Sequence, residues 1–582
     1  MRLRPASIAA CLGLAAGLAL PGQARAQDSV VVIRPTVPAA DTIPETAIEL
    51  VRRAIALYND SSAARMVGSF HLPAGSDHRG PIALFRGNLR VSGRIDGNVT
   101  VINGDLIVGP GGEVTGNAFV VGGRIVVRDG AILGNEEASE GYASVRRTGS
   151  GLLELRPGRR PLGEIAAART RLTTGRLTTT IGLETGRTYN RVEGLPILFG
   201  PTLMAVGPSG VESQLDIRGI FRPATDRTTQ RDDLGFIATG EVRGGGTRKW
   251  LRFGGSGYRK IKAFEDQPLT IGESGWSSFL LQRDYRDHYE ARGVEAYVSI
   301  SPFAGLTVRA SYREDLERSV PASDPISILR NSESWRANPL IDDGHYHTTT
   351  LGIDIDSRND PVHPQAGWLV HARIEHTTSD DAAPIALPAD VRPPLPPGKY
   401  AFSTLYFDAR RYARFDRSTE ASLRVVGGGW IDGDPLPIQR RLSLGGPDLL
   451  PGFGFRDMNC GPAGFVDPAQ ASLCDRMLAV QLEVRRDLDI GVPFRFRSPE
   501  LLALQQILGI GPPDLVAFAD AGKAWLTGDG PSRVPNDRIP NFSEWDVDVG
   551  RGIDARGLGL YLAKGLTGHQ PFRFVVRLQR RF

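Results

Sequence analysis

Beyond residue 26 the chain has no run of about 20 consecutive apolar residues, the length a membrane helix needs. An exported chain without such a helix is soluble, or else a closed barrel that satisfies its own backbone in lipid. Cysteine is scarce: Cys11, Cys460 and Cys474 are all there is, which excludes a disulfide-built scaffold. Excess charge of one sign is missing too. The 69 Lys and Arg face 65 Asp and Glu, and Arg2, Arg4 and Arg25 belong to the first 26 residues. What remains is near neutral, with no basic footprint for nucleic acid. No G-x-S-x-G, H-E-x-x-H or P-loop occurs, so neither an enzyme nor a nucleotide cofactor is expected. His345, His347, His363, His371 and His376 lack an acid or cysteine at a metal-ligand spacing, so no metal site is expected.

Glycine and proline are abundant, at 69 and 41 residues, which favours short strands and many turns. Residues 1–26 have the form of a secretory signal peptide: Arg2 and Arg4, an apolar core Ile8–Leu20, and Ala24-Arg25-Ala26 for cleavage before Gln27. Residues 27–80 read as a linker holding one short helix over 43–58, with Pro44 in its first turn and Ile48, Val51 and Ile55 at helical spacing.

Residues 81–136 repeat. Ile95-Asp96-Gly97-Asn98, Val114-Thr115-Gly116-Asn117 and Ile132-Leu133-Gly134-Asn135 share one pattern at offsets of 19 and 18 residues. Short β-branched runs lie between them. A Gly/Asn corner at a fixed period predicts stacked coils of a small β-helix. The segment resembles the bactofilin-type polymer-forming domain. Residues 137–174 read as a linker with a short helix around Leu162–Thr170.

From 175 to 582 strands alternate with turns, as in Gly235–Val242, Ala296–Ser301 and Leu306–Tyr312. About 16 membrane strands, each with its connection, fit that length. The fold class is therefore all-β: a transmembrane antiparallel barrel preceded by a small β-helix and a short helix. In the last strand Phe574, Val576, Leu578 and Phe582 share one apolar face, broken by Arg580. Arg573, Arg577 and Arg581 share the other, the alternation a lipid-facing strand requires. This strand is expected to close the barrel against the first, with Arg580 snorkelling to the interface.

Leu436–Asp457 reads LPIQRRLSLGGPDLLPGFGFRD. Gly445, Gly446 and Gly452 stand beside Leu449, Leu450 and Phe453, so the loop is expected to pack into something. This run resembles the LGGxxxxRGF/Y loop of the BamA- and TamA-like bacterial surface antigens, outer-membrane assembly and translocation barrels. Asp356–Gly367 (DSRNDPVHPQAG) and Val516–Trp525 (VAFADAGKAW) are similar to two further motifs of that family, in family order. The resemblance implies a loop folded back into the lumen and an inward acid motif, Phe518, Asp520 and Gly522. It also implies an outer-membrane location, surrounding lipid, and the assembly machinery as a partner during biogenesis. The family's loop arginine is Pro451 here, so Arg456 is expected to pair with Asp520. Cys460 and Cys474 are expected to form a disulfide in the extracellular loop that follows. POTRA modules, which precede the family's assembly barrels, are replaced by the coil repeat. Two functions follow: assembly or translocation of a substrate, or a non-enzymatic envelope anchor whose β-helix self-associates or binds another envelope protein.

Overall fold

The computed structural model describes residues 45–582 except 124, 128–130, 140–144, 148–150, 156–166, 175, 186–188, 208–210, 225–233, 246–249, 266–268, 304, 331–333, 359–363, 416–417, 463–470, 489–512 and 556–557. The expected signal peptide and its cleavage site lie outside the described residues.

Helix α1, Glu45–Asn59, opens the described chain. Val51, Ala54 and Tyr58 recur at helical spacing and are buried. They pack on Ala83, Phe85, Ile102, Phe119 and Val121, one side of a sheet whose other side, Leu84, Val101 and Val120, fills a separate core. That double covering explains why Ile82–Phe85, Val99–Ile102 and Ala118–Val121 are buried at every position.

These strands belong to a parallel β-solenoid with three sheets of five, four and four strands. The repeated Gly-Asn corner has a direct cause. A Cβ on Gly116 would come within 2.5 Å of the Gly97 carbonyl oxygen in the coil beneath, so no side chain fits. The Asn98 side chain accepts from the Asn117 backbone N–H at 2.9 Å, tying one coil to the next. The solenoid begins at Ala64, one coil earlier than 81, inside the expected linker. That first coil was hidden because its corner is Gly80-Pro81, with no asparagine.

Among the described residues, seventeen strands from Ala167 to Arg577 form one antiparallel meander, with a two-residue piece, Arg533–Val534, added beside one of them. The first strand, Ala167–Thr174, takes up the end of the helix expected around Leu162–Thr170, of which 162–166 lie outside the described residues. Its threonines pair with the Thr-rich Leu177–Thr185, and β-branched residues favour that pairing over a helix. Along the strands Ile181, Phe253, Ile300, Ile374, Leu515 and Phe574 are exposed, forming an apolar outer belt. Inward positions carry paired charges, including Lys262–Asp315 at 2.8 Å and Arg309–Glu295 at 2.8 Å. Apolar-out and polar-in is the arrangement of a barrel in lipid. Short connections such as 304–305 and 415–418 alternate with long ones such as 264–287, 320–343 and 434–475, which by that rule face outside.

The last strand ends at Arg577, five residues before the chain does. Phe574 and Val576 face outward as expected, but Leu578 and Phe582 lie beyond the strand, and Phe582 is buried. No ladder between Phe572–Arg577 and Ala167–Thr174 is present among the described residues, so the expected closure of last strand on first is not seen.

Candidate functional site in the barrel lumen

The glycine-dense loop lies inside the barrel. Leu444, Leu449, Leu450 and Phe453 pack with Val426, Met477, Ala479 and Ala524 of the wall. Gly445 and Gly446 take φ of 102° and 114°, a region in which a Cβ is strained. Gly452 is required by proximity: a Cβ there would sit 2.5 Å from the Asp548 Cβ. Its N–H donates to the Asp548 carboxylate at 2.5 Å. The Gln481 amide donates to the carbonyls of Asp448 and Leu449 at 2.9 and 2.8 Å, so the backbone polar groups of the loop find partners on the wall. The Asp448 carboxylate is held between Arg424 at 3.1 Å and Arg577 at 3.2 Å.

Arg456 does not meet Asp520. It turns to the opposite side and pairs with Asp287 at 2.7 Å, with Glu265 at 3.8 Å. Asp287 also holds Arg191 at 2.6 Å and Arg336 at 2.7 Å. Burial alone would raise the Asp287 carboxyl, but Arg336, Arg456 and Arg191 outweigh it and hold it well below the usual carboxylate range. Beside this cluster the Phe455 ring meets Tyr285 edge-on at 5.3 Å. Pro451 could not have replaced the family's arginine, and Arg456 lies five residues further along a loop that turns between them.

Phe518, Asp520 and Gly522 face the lumen, while Leu515 on the same strand is exposed outside. The partner of Asp520 is Arg581, the penultimate residue, whose guanidinium also lies 3.8 Å over the Phe518 ring. Arg580 reaches Glu420 at 3.0 Å instead of snorkelling. Arg577 is bound by Glu273 at 2.9 Å, and the same carboxylate accepts from the N–H groups of Leu578 and Gln579 at 2.8 and 3.1 Å. Three arginines with carboxylate partners inside therefore draw residues 578–582 off the strand line and into the lumen. A tail that stayed on the lipid side would leave those acids buried without cations.

Cys460 and Cys474 form a disulfide at the base of the loop, and Cys474 is buried in the same apolar cluster as Leu450. A cavity of about 20 Å³ among Glu295, Arg309, Arg313, Asp354, His371 and Glu375 holds about one water. Among the described residues no group of three His, Cys, Asp or Glu is placed to hold a metal ion.

Sequence reasoning missed Asp548, Glu273, Asp448 and Gln481. Only Glu273 left a signal: Thr270 three residues earlier makes a capping box, and its side chain accepts from the Glu273 N–H. Gln481 and Asp548 are inward positions on alternating strands, and Asp448 is a polar residue within the loop itself; none is distinguishable from other lumen polar residues until the loop is placed.

Residues 283–556 match the Omp85 superfamily domain. No curated protein matches the chain. Among solved structures, BamA from Haemophilus ducreyi lacking POTRA domains 1–3 is similar at 13% identity and a TM-score of 0.39, over 71% of this chain and 75% of that one. CdiB from Acinetobacter baumannii is similar at 11% identity and a TM-score of 0.29, over 71% and 64%.

Proposed function

We propose that this chain, whose residues 283–556 match the Omp85 superfamily domain, is an outer-membrane barrel that inserts or translocates protein substrates, with its solenoid standing on the periplasmic side. The observation that supports this is the free edge of the barrel sheet. The six-residue strand Phe572–Arg577 pairs with Gly559–Gly565 on one side only, among the described residues. Unpaired N–H and C=O groups in lipid are costly and form a template for an added strand. Among the described residues the glycine-dense loop and the tail pack inside the lumen.

Depleting the protein and profiling the outer membrane tests this. Broad loss of other barrels, or of one exported substrate, is the expected result. An unchanged profile with a local envelope-shape defect would instead favour an anchor whose solenoid binds an envelope partner. The exposed Val126, Val127 and Ile132 on the last coil favour that second reading, because nothing stacks on them among the described residues.

A further inference from the structure

Helix α2, Ile271–Leu281, lies in the long connection 264–287 and is turned the wrong way for a soluble protein. Its polar residues Glu273, Ser274 and Ser278 are buried, whereas Trp276, Phe279 and Leu280 are half-buried and Leu281 is exposed. The helix links the two ends of the barrel sheet. Its first turn is bonded to the last strand through Glu273 and Arg577. Its last turn lies against the connection that follows the second strand, where the Phe279 ring meets Tyr189 at 5.1 Å. A second segment joins it. The N–H groups of Ile328 and Leu329 donate to the carbonyls of Phe279 and Leu280 at 3.0 and 3.1 Å. Ile326, Ile328 and Leu329 are then 71%, 56% and 66% exposed.

We infer that α2 with Ile326–Leu329 is a lipid-facing part of the barrel wall at the seam between first and last strands, contacting bilayer acyl chains. Two observations select acyl chains as the occupant. The patch continues the apolar belt, because Phe574 and Val576 are exposed on the strand that Arg577 ends, and Ile181 and Leu183 on the strand that leads to Tyr189. The carbonyls that a helix end leaves unpaired are taken up here by Ile328 and Leu329, which is what lipid demands and water does not. The inference rests on the barrel spanning the membrane.

The test is quenching of a fluorophore by doxyl-labelled phosphatidylcholine in vesicles holding the full protein, with the native cysteines kept oxidised. Labels go on Phe279→Cys and, should that variant not fold, on Ile328→Cys. Phe574→Cys is the lipid reference and Ile132→Cys, on the solenoid, the aqueous one. Quenching at Phe279→Cys within about twofold of Phe574→Cys is expected if backbone-satisfied apolar surface sits in lipid. Quenching no greater than at Ile132→Cys, with Phe574→Cys quenched, overturns the inference and points to a protein occupant. An unquenched Phe574→Cys would instead defeat the membrane-barrel reading itself.

Discussion

The Asp520 carboxylate, in the middle of one barrel strand, is bound by Arg581, one residue from the end of the chain. Two segments far apart in sequence are thereby joined inside the lumen, and the glycine-dense loop is left to other partners. Asp520 and Arg581 are both almost fully buried. Removing Arg581 leaves the buried Asp520 carboxylate without that cation and should cost about 3–5 kcal/mol, whereas removing Asp520 leaves Arg581 with Glu483 at 3.7 Å. Asp520→Asn and Arg581→Gln should each make residues 578–582 open to carboxypeptidase in detergent, while heat-modifiable migration persists. The double variant should be no worse than either single one. A tail that stays protected in both singles would show that Arg577 and Arg580 suffice to hold it.

Arg456 anchors a different element, so its loss should read out elsewhere. Arg456→Ala leaves Asp287 with Arg191 and Arg336, so the carboxylate keeps cations while the loop loses this one of its ties. Protease nicking between Gly445 and Asp457 should rise several-fold, and carboxypeptidase access to the tail should not change. Asp520→Asn should show the reverse pattern. Equal effects of both variants on both assays would mean that loop and tail move as one body.

The barrel was legible in the sequence because its signals are local and repeated: alternation along strands, turn residues between them, and a glycine loop too apolar for solvent. The inward face of Phe518, Asp520 and Gly522 follows from strand periodicity alone. The partner of Asp520 does not, since pairing across a lumen depends on how far a loop and a tail reach. Alternation carried on past Arg577 put Phe582 in lipid; the chain leaves the strand there because Glu273, Glu420 and Asp520 draw its arginines inward. The first solenoid coil was missed for a simpler reason: Gly80-Pro81 keeps the glycine but not the asparagine that marks the repeat.

The disulfide has a reduction behaviour set by burial. Cys474 is fully buried, and its backbone exchanges hydrogen bonds with Leu442 at 2.9 Å in both directions. Closing a loop of this length stabilises by about 3 kcal/mol on a chain-entropy model. Dithiothreitol alone should leave the native protein without titratable thiols in its 460–474 segment, and thiol labelling should appear only with urea or heat. Labelling at the same rate with and without denaturant would place the pair at an accessible loop tip.

The last prediction separates the two halves of the chain. Gly123 sits in the solenoid with its Cα so close to the coil beneath that a Cβ would lie 2.0 Å from the Gly104 carbonyl oxygen. The obstacle is backbone, held by a ladder on each side, so no side chain can rotate away. Overpacking a core usually costs about 1–3 kcal/mol, and a clash with fixed backbone belongs at or above the top of that range. A coil forced apart also loses its neighbours, because each coil is stable only when stacked. Gly123→Ala should therefore open residues 64–139 to protease as a unit. The barrel has its own ladder and its own inward charge pairs, so its heat-modifiable migration should be unaffected. Gly75→Ala is the control: a Cβ there meets nothing within 4 Å, and only a φ of 77° opposes it. It should cost about 1 kcal/mol and leave the solenoid protected. If Gly123→Ala also abolished heat-modifiability, the solenoid would be needed for the barrel to form.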